Sequence, residues 1–89
     1  MDARLLAAEL DTAAAQLGRV AAELTMASLR LGRTAAQAVW SGTAADTAFD
    51  VLTADAVALD VCAAAADRAA RRLMVIAGEA RTVARALVP

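Results

Sequence analysis

The sequence predicts an all-α protein, an antiparallel helix-turn-helix hairpin that is expected to dimerise into a four-helix bundle. Three observations lead to this fold class. Alanine, which has the highest helix propensity, accounts for 28 of the 89 residues. Apolar residues recur at heptad spacing in both halves of the chain, and a glycine lies between the halves. The one proline is Pro89, so no proline interrupts either half.

The first half has an apolar pattern over four heptads, which predicts one helix from about residue 3 to about residue 38. One heptad position is always leucine: Leu10, Leu17, Leu24 and Leu31. The position that alternates with it is occupied by Leu6, Ala13, Val20 and Ala27. A neighbouring column is small throughout and would allow another backbone to approach closely: Ala7, Ala14, Ala21, Ser28 and Ala35.

The second half repeats the pattern with smaller residues and predicts a helix from about residue 44 to about residue 87. One column consists of Leu52, Leu59, Ala66, Leu73, Ala80 and Leu87. The other consists of Phe49, Ala56, Ala63, Ala70, Ala77 and Ala84. Successive alanines favour a short distance between helix axes, with Phe49 filling one end. We expect these columns and the leucine seam of the first helix to face each other.

Residues 39–43 separate the two helices and are predicted to form a tight turn. Gly42 can adopt the positive φ that suits a sharp reversal. Thr43, with Asp46 three residues later, resembles a capping box at the start of the second helix, and Ser41 is the alternative cap. The chain is therefore expected to form one domain, residues 1–89, that folds back on itself.

Helix two has more apolar surface than a hairpin needs. Further apolar residues lie off its main seam: Val51, Val57, Val61, Ile76 and Val83. Two helices in contact cover one stripe each, so the extra stripe indicates a partner, either a second copy or a related hairpin. The alternative is a self-sufficient hairpin with an apolar surface. The residues that we assign to hairpin or dimer packing are Leu10, Leu17, Leu24, Leu31, Phe49, Leu52, Leu59, Leu73, Val57, Val61 and Ile76.

Charge and rare residues argue against several functions. Nine arginines, ten acidic residues and a net charge of -1 leave no basic stripe of the kind that binds nucleic acid. The longest uncharged stretch, residues 34–45, is too short to span a membrane, and charges near the start argue against a secretory signal. The chain has no histidine and no tyrosine, so we predict neither an enzyme nor a metal or cofactor site.

Cys62 is the one cysteine of the chain. We expect it to be a small buried apolar side chain, and the alternative is a disulfide to another chain. The absence of lysine beside nine arginines, with this much alanine, is typical of a GC-rich genome such as an actinobacterial one.

Trp40, Ser41 and Gly42 form a Trp-x-Gly triplet where the chain is expected to reverse. With a long heptad helix on each side, the arrangement resembles the WXG family, small helical hairpins exported by type VII (ESX) secretion systems. The resemblance covers the whole chain, although its specific residues are Trp40 and Gly42. It implies a non-enzymatic hairpin that forms homo- or heterodimers and reaches the cell surface or the medium without a signal peptide.

The resemblance also implies a role for the turn, in which Trp40 and Gly42 help the secretion ATPase to recognise the dimer. The alternative is that Trp40 plugs the end of the hairpin and Gly42 permits the turn.

The family's usual export signal, a tyrosine followed four residues later by an acidic residue, has no counterpart in this sequence. Val75 and Glu79 have the spacing without the phenol. We therefore expect either a heterodimer member whose partner supplies the signal or an export-independent relative. The runner-up function is a cytoplasmic dimerisation or targeting adaptor, or a chaperone-like partner, of a larger toxin or effector.

Overall fold

The computed structural model describes residues 2–37 and 42–87, which form two long helices. α1 runs over Ala3–Gln37 and α2 over Gly42–Ala86. The helices pack against each other as a hairpin, and the described residues contain no strand. The predicted all-α hairpin is confirmed. α2 begins two residues before the expected residue 44, and the molecule measures 73 × 15 × 13 Å.

The contact between the helices is a seam of small residues, which we call the alanine seam. In α1 its buried members recur every seven residues: Ala7, Ala14, Ala21, Ser28 and Ala35. In α2 the buried column is Ala63, Ala70, Ala77 and Ala84, with Ala80 beside it. Among the described residues no large hydrophobic side chain is fully buried. Small side chains on both surfaces therefore allow the two backbones to lie close together.

The leucine seam of α1 does not face α2, contrary to the expectation from the sequence. The small column beside it takes that place, and the leucines are half-buried at its flank: Leu10, Leu17, Leu24 and Leu31. In the row that alternates with them, Leu6 is 37% exposed and Val20 44%. The reason is that the alanine column of α2 packs most closely against another small column. The prediction that another backbone could approach the small column of α1 is confirmed, and the approaching backbone is that of α2.

Two polar contacts connect the helices across the hairpin. The buried Ser28 hydroxyl donates a hydrogen bond of 2.9 Å to the backbone carbonyl of Ala56. Arg81 forms an exposed ion pair with Asp11. The hydrogen bond satisfies a buried polar group and shows how near the α2 backbone lies, whereas an exposed ion pair contributes at most about 1 kcal/mol.

The start of α2 shows how the hairpin reverses. Gly42, its first residue, has a φ of 83°, which confirms the predicted positive φ. Thr43 lies inside the first turn of α2 rather than at its cap, and its carbonyl accepts a 3.1 Å hydrogen bond from the Thr47 hydroxyl. The alternative cap, Ser41, lies outside the described residues.

Candidate functional site

The heptad positions on the two sides of the alanine seam lie on opposite faces of the hairpin. In an α-helix, a residue three positions after a seam residue lies about 60° to one side of it, and a residue four positions after lies about 40° to the other. An antiparallel hairpin has an approximate two-fold axis perpendicular to its plane, so equivalent heptad positions of both helices share a face. The ion pair of Asp11 with Arg81 illustrates this, because each residue follows a seam residue by four positions.

One face of the hairpin is lined by leucines from both helices, and we call it the leucine face. Its inner rows follow the seam by three positions and contain seven half-buried leucines: Leu10, Leu17, Leu24, Leu31, Leu52, Leu59 and Leu73. Its outer rows precede the seam by one position, and their large side chains are 37% to 53% exposed: Leu6, Val20, Ile76 and Val83. In the described part of the chain, Asp55 is the one charged residue of these four rows.

The opposite face of the hairpin is mainly polar, and we call it the polar face. Within residues 2–37 and 42–87, and apart from Met74, the rows that follow the seam by four positions contain only glycine and polar residues: Arg4, Asp11, Gly18, Thr25, Gly32, Asp46, Thr53, Asp60, Asp67 and Arg81. A shallow cleft of about 470 Å³ on this face is lined by residues of both helices, among them Gly18, Thr25 and Asp60. Asp67 pairs with Arg71 at 2.8 Å, so Asp67, like Asp11 and Arg81, has an ion-pair partner within the hairpin.

The apolar residues that the sequence grouped as an extra stripe of α2 divide between the two sides of the helix. Ile76 and Val83 belong to the leucine face by their heptad position. Val57 and Val61 lie toward the polar face and are 58% and 63% exposed. Phe49 occupies the turn end of the α2 seam column and is 38% exposed. The structure therefore brings the predicted packing leucines and Ile76 to one face and separates Val57 and Val61 from it.

Cys62 is exposed, which corrects the expectation that its side chain is buried. It immediately precedes the seam residue Ala63 and so lies in the outer α2 row of the leucine face. The sequence pattern suggested burial because cysteine is usually buried, but the outer row faces away from α1.

Gly42 is the residue of the Trp-x-Gly triplet that the structure describes. Trp40 and Ser41 lie outside the described residues. A β-carbon added to Gly42 would meet no atom within 4 Å. Glycine is therefore favoured at this position by its positive φ and not by a lack of room for a side chain.

The described residues offer no alternative site of a familiar kind. In residues 2–37 and 42–87, no group of three or more His, Cys, Asp or Glu side chains is placed to hold a metal ion. Neither α1 nor α2 has a stretch that is both long and apolar enough to cross a bilayer. No family model, curated protein or solved structure matches this chain.

Sequence reasoning missed the separation of the two faces, although the sequence contained a signal for it. In both helices most of the leucines follow the small column by three positions. If the two small columns are placed in contact, the antiparallel hairpin puts all these leucines on one side. The missing step was to choose the small columns, rather than the leucine seam, as the contact between the helices.

Proposed function

We propose that this chain is a non-enzymatic docking subunit whose leucine face binds another helical hairpin and completes a four-helix bundle. The partner is a second copy or a related hairpin, and the complex is the functional unit. We further propose that type VII secretion exports this complex. The secreted or cell-surface location follows from that second part of the proposal.

The observation that carries the proposal is the distribution of side chains by size. Alanine and serine occupy the contact between α1 and α2, while most of the leucines lie along one open face. Burial of apolar surface is favourable by about 25 cal/mol per Å², so exposed side chains of this face, such as Ile76 and Val83, could stabilise the protein further if a partner covered them. Monomeric soluble proteins rarely expose a continuous apolar surface of this length, which supports a partner on this face.

The spacing of the leucine face supports a helical partner. Leu10, Leu17, Leu24 and Leu31 alternate with a second apolar row over four heptads, which is the pattern of knobs-into-holes packing between helices. The leucines of α2 continue the face beside them, as in one half of a four-helix bundle. A small ligand or a globular partner would not require heptad spacing along the whole hairpin.

Support for the secretion part comes from the resemblance of the Trp40–Gly42 triplet and the helical hairpin to the WXG family. The chain contains no tyrosine, so a tyrosine-based export signal would belong to another protein of the complex. The alternative function uses the same face: a cytoplasmic adaptor or chaperone-like partner that docks on a helical segment of a larger toxin or effector.

A pair of matched leucine substitutions tests docking on the leucine face. We expect Leu24→Glu to remove association, because it places a charge in the middle of the leucine face. Leu29 is 54% exposed and follows the seam residue Ser28 by one position, on the polar side, so Leu29→Glu should leave association unchanged. Light scattering gives the mass of each variant, alone and mixed with a candidate hairpin, and circular dichroism checks folding. A chain that binds neither itself nor another hairpin at micromolar concentration would contradict docking.

Export of the same variants from a host with a type VII system tests the secretion part. Leu29→Glu should be exported like the wild type, and Leu24→Glu should be retained because it cannot form the complex. Trp40→Ala should associate normally but lose export if the turn is a recognition feature. Export of monomeric Leu24→Glu would contradict export as a complex. Retention of the wild type despite normal association would favour the adaptor function.

A further inference from the structure

We infer that a cleft on the polar face, at the open end of the hairpin, binds an acidic peptide segment of a partner protein. The cleft has a volume of about 350 Å³ and lies where the first turns of α1 meet the last turns of α2. It is on the side opposite the leucine face and stays open when that face is covered. The inference therefore goes beyond the proposed function and does not depend on it.

Arginines from both helices line this cleft, which we call the arginine cleft. Its floor includes the buried seam residues Ala7 and Ala84. Arg4 and Arg81 belong to the rows of the polar face, and Arg85 follows Ala84 by one position on the same side. In the described part of the chain, three arginines and no acidic residue line the cleft. The lining therefore selects for negative charge.

Two of the three arginines have no anionic partner among residues 2–37 and 42–87. Arg81 forms an ion pair with Asp11, whereas the guanidinium groups of Arg4 and Arg85 form neither an ion pair nor a hydrogen bond there. Asp2 is close to Arg4 in the chain, but its carboxylate caps α1 by accepting a 2.9 Å hydrogen bond from the backbone N–H of Arg4. The hairpin therefore leaves positive charge in the arginine cleft uncompensated.

The arrangement of these arginines is electrostatically unfavourable in the free hairpin. Arg4 lies in the first turn of α1, where the helix dipole favours negative charge. Arg81 and Arg85 are four positions apart on α2, a spacing at which like charges destabilise a helix. Arg85 in the last turn of α2 does complement the dipole of that helix, but the other two arginines gain nothing of this kind. A bound anion would relieve the repulsion on both helices.

The chemistry of the lining favours a carboxylate as the anion. A guanidinium group presents parallel N–H donors that match the two oxygens of a carboxylate. The ion pair of Arg81 with Asp11 shows one of these arginines binding a carboxylate. The methyl groups of Ala7, Ala8 and Ala84 lie among the arginines and suit the methylene groups of a glutamate side chain.

The exposure of the arginines favours a peptide over a small free anion. Arg4 and Arg85 are exposed, and one ion pair at an exposed position contributes little because water and salt compete with it. A segment with several carboxylates contacts the arginines of both helices at once, and each contact raises the effective concentration for the next. The acidic partner segment is therefore expected to lie along the groove between the helices.

Binding of a short capped peptide of alternating glutamate and alanine to the full chain tests the arginine cleft. Fluorescence anisotropy of the labelled peptide at low ionic strength measures its Kd. We expect Arg4→Gln or Arg85→Gln alone to raise the Kd by roughly two- to fivefold, and both together by roughly tenfold. The matched control combines Arg68→Gln with Arg72→Gln, an exposed pair of arginines outside the cleft, and should bind like the wild type. All four arginines are exposed, so the variants should fold, which circular dichroism checks.

Each outcome of this experiment decides the inference. Weaker binding by the cleft variants alone supports it, because the two double variants have the same net charge. Equal weakening by both double variants would show attraction to positive charge in general and would overturn the site. No binding to the wild type, or equal binding of a glutamine–alanine peptide, would also overturn it. Inorganic phosphate that displaces the peptide at equal concentration would indicate a site for a small oxyanion and overturn the peptide as ligand.

Discussion

Gly42 and Gly18 show how the same residue type serves different purposes in this chain. Gly42 begins α2 with a φ of 83°, a left-handed conformation that costs residues with a β-carbon about 1–2 kcal/mol. Gly18 lies within α1, and a β-carbon added there would meet no atom within 4 Å. Glycine in a helix interior is less favourable than alanine by about 1 kcal/mol. Gly42 is therefore required by the turn, whereas Gly18 weakens its helix.

Alanine substitutions at these two glycines should change stability in opposite directions. We expect Gly42→Ala to lower the free energy of unfolding by about 1 kcal/mol, because alanine is strained at positive φ. We expect Gly18→Ala to raise it by about 0.5–1 kcal/mol, because alanine is the better helix former. Urea unfolding at one fixed protein concentration measures both changes. A Gly42→Ala variant as stable as the wild type would show that the reversal does not depend on a left-handed residue.

At the scale of the helices, close approach along the alanine seam determines how α1 and α2 are oriented. The hydrogen bond from Ser28 to the carbonyl of Ala56 reaches from a side chain of one helix to the backbone of the other. A helix pair joined by small residues gains from dispersion contacts between close backbones and tolerates little added volume. The seam therefore defines which helix faces remain open.

Adding volume to the alanine seam should be much more destabilising than adding it next to the seam. Ala70 is 6% exposed, so Ala70→Leu must push the helices apart and should lower the free energy of unfolding by about 2–3 kcal/mol. Ala64→Leu adds the same atoms at an exposed position that follows the seam residue Ala63 by one position, on the polar side, and should change stability by less than about 0.5 kcal/mol. Thermal and urea unfolding followed by circular dichroism compare the two. Equal effects of both substitutions would contradict the close contact at Ala70.

At the scale of the whole molecule, the hairpin is too thin to enclose a large hydrophobic core of its own. It is 73 Å long but only 15 × 13 Å in cross-section, so every residue lies near the surface. Chains of this size bury a smaller share of their surface on folding than larger domains do, and the seam of this one buries mainly alanine. We therefore expect much of its stability to come from association. A dimer of two copies would contain no tyrosine, so an export signal of that kind would come from a further protein bound to the dimer.

The thermal stability of the wild-type chain should therefore depend on its concentration. Association that requires folded chains stabilises the folded state by mass action, by about 1.4 kcal/mol for each tenfold rise in concentration. We expect the Tm to rise by several degrees for each tenfold step between 1 and 100 μM, on the order of what this free energy implies. Circular dichroism in cells of different path length measures it. A Tm that is constant over this range would indicate a hairpin that is stable without a partner.

Much of the architecture could be predicted from local residues, and the candidate site only in part. Alanine content and heptad spacing predicted two helices, and Gly42 predicted the positive φ at the reversal. The leucines of the site, such as Leu17 and Leu59, were identified as packing residues, but what they pack against was not. Cys62 was expected to be buried and is exposed, since burial depends on which face of α2 meets α1.

The sequence by itself determined the helices, their phase and the position of the turn, because these depend on propensity and periodicity that act within a few residues. Only the tertiary structure decided which heptad column forms the contact between the helices. That choice depends on how closely two surfaces fit, and the fit of Ala21 and Ser28 against the α2 backbone cannot be read from either helix alone. Once the small columns meet, the antiparallel geometry places the leucines of both helices on one open face.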